Sequence, residues 1–156
     1  RRRHRVALRD DVVEVVARPD LSPQVTILAR ELRALQARAV VLLDDRPGHA
    51  AAVVQDYGPD EFKNNVLALA GCGRTFKLPT ILTTSFEDGP NGPILPELKE
   101  MFPEAPFIAR PGQINAWDNE DFVQAVKATG KKQLIIAGVV TEVCVAFPAL
   151  SFSGNL

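Results

Sequence analysis

The segment from Lys131 to Pro148, KKQLIIAGVVTEVCVAFP, carries the expectation from which the rest of the chain is read. Gln133 to Ala137 is a short, mostly apolar run with two isoleucines, and Gly138 follows it directly. This is the pattern of a buried strand of the parallel type that stops at a tight turn. Thr141 has the chemistry of a helix N-cap, which sets Cys144 at the third helical position. There, unpaired backbone N–H groups and the positive end of the helix dipole stabilise a thiolate, and the cysteine becomes nucleophilic at neutral pH. Glu142 in the same turn opposes the effect, so a second activating group is needed. The competing reading is a small core residue, since free cysteines are among the most buried residue types.

Upstream, the same alternation of strand and helix recurs. Asp118 or Asn119 caps a helix with Phe122, Val123 and Val126 on its apolar face, and Gly130 ends it. Phe107 to Ala109 is a brief strand with Arg110 at its end, and Leu95 to Phe102 is a short helix before Pro103. Arg110 is either a surface charge or, facing a crevice, a permanent cation able to hold Asp45 ionised or lower a thiol pKa. Trp117 packs against a substrate or against the core. Thr80 to Thr84 is a β-branched strand, and the loop SFEDGPNGP at 85–93 beyond it suits a rigid pocket wall. Gly58 and Pro59 open a helix with Phe62, Val66, Leu69 and Ala70 inward, closed by the GCG at 71–73. This is no dinucleotide fingerprint, because the third glycine is missing and the glycines follow a helix. Cys72 reads as structural.

Ala39 to Leu43 is the first strand of this series and runs into Asp44 and Asp45. Alternation sends neighbouring side chains to opposite faces, so at most one of the two carboxylates belongs to a shared site. A loop-starting pair with local hydrogen bonds is the alternative. Four strands alternating with four helices from residue 39 onward predict a parallel sheet with right-handed crossovers. Ligands of such sheets bind outside the carboxyl ends of the strands. Asp45, Arg110 and Cys144 follow three different strands and can meet at that edge.

Residues 1–38 read differently, with nine arginines against five acidic residues, whereas the remainder is net acidic. There is no lysine before Lys63 and no asparagine before Asn64. RRRHR at 1–5 could contact an anionic surface, but no aromatic residue lies in the first 56 positions to stack on bases, so nucleic-acid binding is disfavoured. Asp10 to Ala17 is a strand or a short helix ended by Pro19, and Ser22 to Arg38 is an amphipathic helix with Ile27, Leu28, Leu32 and Leu35 inward. His49 stands alone and reads as a loop residue rather than a metal ligand. Two cysteines are too few for a disulfide framework, no run approaches the ~20 apolar residues of a membrane span, and a reducing, cytoplasmic setting is expected. The chain opens on Arg1 and not Met, which suggests a fragment, a processed product or an unusual gene model.

VVLLDD at 40–45, EFKNNVLAL at 61–69, LPTILTTSFEDGPNGP at 78–93, IARPGQINAWDNEDF at 108–122 and IIAGVVTEVCVAFP at 135–148 closely resemble the isochorismatase-like cysteine hydrolases, most strongly their YcaC-type branch. The likeness covers residues 39–152 and implies a three-layer α/β/α fold with a mainly parallel sheet. It divides the chain into an arginine-rich arm with its amphipathic helix, 1–38, and a partial hydrolase domain, 39–156. It implies that the family fold continues beyond Leu156, so that a sheet edge and the Cys144 helix lose cover here and Pro148 interrupts that helix.

The resemblance also implies a catalytic trio of Asp45, Arg110 and Cys144, with Arg110 where most members carry lysine. It implies a non-proline cis peptide at Val139–Val140 that aims N–H groups of Val140 and Cys144 at an oxyanion, with Val139, Val140 and Thr141 around the substrate. No metal and no cofactor are implied, since the Asp/His cluster of the metal-binding members is absent. A small-molecule substrate and a homo-oligomer are. The expected activity is hydrolysis of small amide-like C–N bonds through a thioester; the alternative is a catalytically inactive scaffold or binding protein.

Overall fold

A strand buried along its whole length is covered on both faces, and Thr80–Ser85 is such a strand. It is one of five in the computed structural model, which describes residues 12–14, 39–44, 58–89 and 91–154. In chain order the elements are β1 (Val12–Glu14), β2 (Ala39–Asp44), α1 (Pro59–Thr75), β3 (Thr80–Ser85), α2 (Pro96–Met101), β4 (Phe107–Arg110), a 3-10 turn (Ala116–Asp118), α3 (Glu120–Ala128), β5 (Gln133–Gly138), a π turn (Thr141–Val145) and α4 (Ala146–Gly154). All five strands are parallel and stand in the order β1-β5-β2-β3-β4. The arm RRRHR, the helix expected over 22–38, Asp45 and His49 lie outside the described residues.

β5 shows why helices flank both faces. Ile135 packs with Leu69 and Ala70 of α1 and Leu98 of α2, whereas Leu134 and Ile136 pack with Phe122 and Val126 of α3 and Ala149 and Phe152 of α4. The period-two alternation of one strand therefore feeds two cores, and the architecture is a three-layer α/β/α sandwich around a parallel sheet. The chain steps outward from β2 to β3 to β4 under α1 and α2, then returns under α3 to place β5 on the other side of β2. Neighbouring strands β2 and β5 are thus followed by helices on opposite faces. Between such strands the carboxyl edge opens into a crevice.

Local chemistry accounts for the element ends. Asn119 accepts a hydrogen bond from the Phe122 N–H at 3.0 Å and caps α3, and Gly130 closes it at φ +63°. The GCG at 71–73 does not close α1. The helix runs through it to Thr75, and Lys77 takes the left-handed position at φ +51° while the Leu78 N–H returns to the Gly73 carbonyl at 2.9 Å. The terminal carbonyls are satisfied a turn later than the glycines suggest.

Pro148 does not break α4, which spans it. The change from wide to α-type turns falls two residues earlier, so the missing proline N–H coincides with a change of hydrogen-bond register. The outer side of β5 is not open: Val12, Val13 and Glu14 pair with Leu134, Ile135 and Ile136. The cover of α4 is thin, with Phe147 44% and Leu150 64% exposed. Among the described residues, no helix is long and apolar enough to cross a membrane.

Candidate active site

Arg110 ends β4 and is only 1% exposed. A guanidinium stays charged at any working pH, so its burial demands hydrogen-bonding partners. Its Nε donates to Thr83 Oγ1 at 2.9 Å, and its Nη1 donates to the carbonyls of Gln113 and of Ile114, the latter at 3.3 Å. Thr83 Oγ1 in turn donates to the Ile108 carbonyl at 2.8 Å, and Ser85 Oγ donates to the Gln113 carbonyl at 3.1 Å. The side chain is thereby drawn back by one strand, from β4 onto β3.

Register extends this row toward the middle of the sheet. Thr83 is in line with Asp44, and Asp44 is in line with Gly138. Ile81, Ile108 and Ile136, each two residues earlier on its strand, all pack on the face occupied by α3 and α4. Thr83 and Arg110 share that face by alternation. Asp45 itself lies outside the described residues.

Cys144 sits in the π turn after β5, whose last residue Val145 packs on this face, and is 1% exposed. The ends of β4 and β5 are three inter-strand spacings apart, about 14 Å; the reach of Arg110 onto β3 shortens that interval. Thr141 is the first residue of the π turn, not a cap preceding an α-helix. The Val139–Val140 peptide is trans, as is every peptide among the described residues. A cis bond here would cost ~3 kcal/mol, and the trans chain already lets the Cys144 N–H donate to the Val140 carbonyl at 2.8 Å. Of the two amides expected to face an oxyanion, that of Cys144 is therefore engaged within the turn.

The residues that hold the cation were missed from the sequence: Thr83, Gln113 and Ile114 bond it directly, and Ser85 holds the Gln113 carbonyl. The available signal was a strand ending in three consecutive hydroxyls, Thr83, Thr84 and Ser85, when an apolar strand needs none. All three are buried. Trp117, by contrast, belongs to the core and meets Phe122 and Phe152 edge to face at centroid distances of 5.8 and 5.5 Å. Cys72 is half-buried against the α1 and α2 core, and desolvation raises its thiol pKa. Among the described residues, no three His, Cys, Asp or Glu side chains gather as a metal site would require.

Comparison with known proteins adds to this geometry. The isochorismatase domain model matches residues 14–152, a span that starts before the boundary expected at residue 39. A probable hydrolase, YcaC, of Escherichia coli (strain K12) is 73% identical over 113 residues, which are 72% of this chain and 54% of that protein. Among solved structures, YcaC of Pseudomonas aeruginosa with hexane-2,5-diol and covalent acrylamide superposes at a TM-score of 0.74 with 72% identity. The Escherichia coli YcaC gene product, described as an octameric hydrolase of unknown specificity, superposes at 0.72 with 67% identity. Each comparison covers 77% of this chain and 59% of the other. The chain therefore spans little more than half the length of these relatives.

Proposed function

The chain belongs to the isochorismatase domain family, and from that premise we propose that it is a cysteine-dependent hydrolase of small amide-like substrates. The observation that carries the reading is that buried Cys144, in the turn after β5, and the buried cation of Arg110, at the end of β4, both follow the carboxyl ends of one parallel sheet. A carboxylate of the Asp44–Asp45 pair takes the Sγ proton, and the thiolate attacks the amide carbon. The backbone around Val139, Val140 and Thr141 supplies N–H groups to the tetrahedral oxyanion, and Arg110 supports the negative charge of the site. The carboxylic acid returns its proton to the leaving nitrogen as the C–N bond breaks. Water then cleaves the thioester to release the acid and restore the thiol.

The resemblance points to Asp45 as that carboxylate. Asp44, its neighbour, ends β2 in register with Thr83 and Gly138 and is the other candidate. Comparing Asp44→Asn with Asp45→Asn separates the two; loss of the base is expected to lower turnover by about 10²-fold or more. Covalent acrylamide in the Pseudomonas relative supports a thiol of this type, since acrylamide alkylates thiolates. The octameric Escherichia coli relative supports a homo-oligomer.

Cys144→Ala is expected to abolish ammonia release from a panel of small amides. Undiminished release by that variant rejects covalent catalysis. A catalytically inactive scaffold is the second reading, favoured by the 1% exposure of Cys144. The pH dependence of alkylation discriminates the two: a catalytic Cys144 reacts at lower pH than Cys72, whose thiol pKa burial raises, whereas a scaffold shows two sluggish thiols.

A further inference from the structure

Two residues whose backbones hydrogen-bond Arg110 carry large, exposed apolar side chains. Phe86, 49% exposed, donates its N–H to the Arg110 carbonyl at 2.8 Å, and Ile114, 58% exposed, accepts from the guanidinium. Phe86 is also held in a left-handed conformation, φ +58°, which a bulky residue adopts only at a cost of ~1 kcal/mol or more. The surroundings enforce it. The Gly89 N–H donates to the Phe86 carbonyl at 3.0 Å, the Asn91 amide donates to the Ser85 carbonyl, and the Ile94 N–H donates to Glu87 Oε1 at 3.3 Å. The ring lies on Gly89 so closely that a Cβ there would come within 2.3 Å of it. A strained backbone and a glycine seat together keep an aromatic ring in solvent at the carboxyl edge of the sheet, where burial in the core would be the favourable fate.

We propose that Phe86, together with Ile114, is the specificity wall of the site and selects amides whose acyl group carries an extended apolar chain. The proposal rests on the hydrolase reading for its substrate chemistry. The ends of β5 and β3 are two inter-strand spacings apart, about 10 Å. An amide held near the π turn after β5 needs an acyl chain of several carbons to reach the ring, and the two-carbon acyl group of acetamide cannot. The wall is apolar, so it discriminates by chain burial and not by charge.

The test is binding, which does not depend on turnover. Hexanamide and acetamide are titrated against the full chain and against Phe86→Gly, which removes the ring while tolerating φ +58° and so keeps the loop. The preference of the wild-type chain for hexanamide over acetamide is expected to fall about tenfold in Phe86→Gly, and Gly89→Ala, which displaces the ring, is expected to lower it in the same direction. An unchanged ratio overturns the proposal, as does a smaller assembly with an unchanged ratio, which places the ring in a subunit contact. Failure of the hydrolase reading registers separately, as ammonia release that survives Cys144→Ala, while the binding ratio still decides the role of Phe86.

Discussion

A buried guanidinium is the most demanding residue of the described structure, because it cannot discharge itself and must be met by oxygen atoms on several strands. Thr83 is the most exposed to test. Its hydroxyl accepts from Arg110 Nε and donates to the Ile108 carbonyl. Thr83→Val keeps the shape and removes both bonds, leaving a buried charged donor unpaired, at a cost of about 2–3 kcal/mol. Chemical denaturation should show that loss, and Thr83→Ser should recover most of it. Thr83 was signalled only as one of three consecutive hydroxyls, and its role was not legible, since a threonine in a strand is ordinary on β-propensity alone. Arg110 could be nominated as a strand-end cation, but only the fold revealed that it is buried and drawn toward the middle of the sheet.

At the scale of the elements, most boundaries were legible because they are set by side-chain chemistry a few residues away. β5, β3 and α3 formed where apolar runs and the Asn119 cap predicted. α1 overran its glycines because the carbonyls at its end could be satisfied further on. α1 and α2 are also joined by an ion pair between Lys63 and Glu97. Each partner perturbs the other: the hydrogen bond to Lys63 lowers the Glu97 pKa, and the same bond raises that of Lys63. A carboxyl whose folded pKa lies below its unfolded value stabilises the fold above the unfolded pKa and loses that contribution as pH falls through the folded one. Melting temperatures of the wild type and of Glu97→Gln should therefore differ slightly at neutral pH and converge in acid. The difference stays small because both groups reach solvent.

For the whole molecule, the sheet order creates the crevice between β2 and β5, and β1 protects the outer side of β5. Three residues, Val12 to Glu14, provide that protection. Val13→Pro removes a ladder donor opposite Ile135 and leaves β5 with an uncovered edge, a template for pairing between chains. Concentration-dependent light scattering should rise, and the melting temperature should fall by about 3–6 °C. A variant that melts and scatters like the wild type would show that β1 contributes nothing to the edge.

The sequence by itself determined the alternation of strands and helices, the parallel sheet and the candidates Arg110 and Cys144, because hydrophobic period, caps and strand-end charges are local properties. The tertiary structure alone decided which strand lies beside which, that β1 joins the β5 edge, that Thr83 and Asp44 share a row, and that Phe86, held at φ +58°, bonds the Arg110 backbone. These depend on register between segments far apart in the chain, and register is fixed by packing across the sheet and not by any residue's own preference.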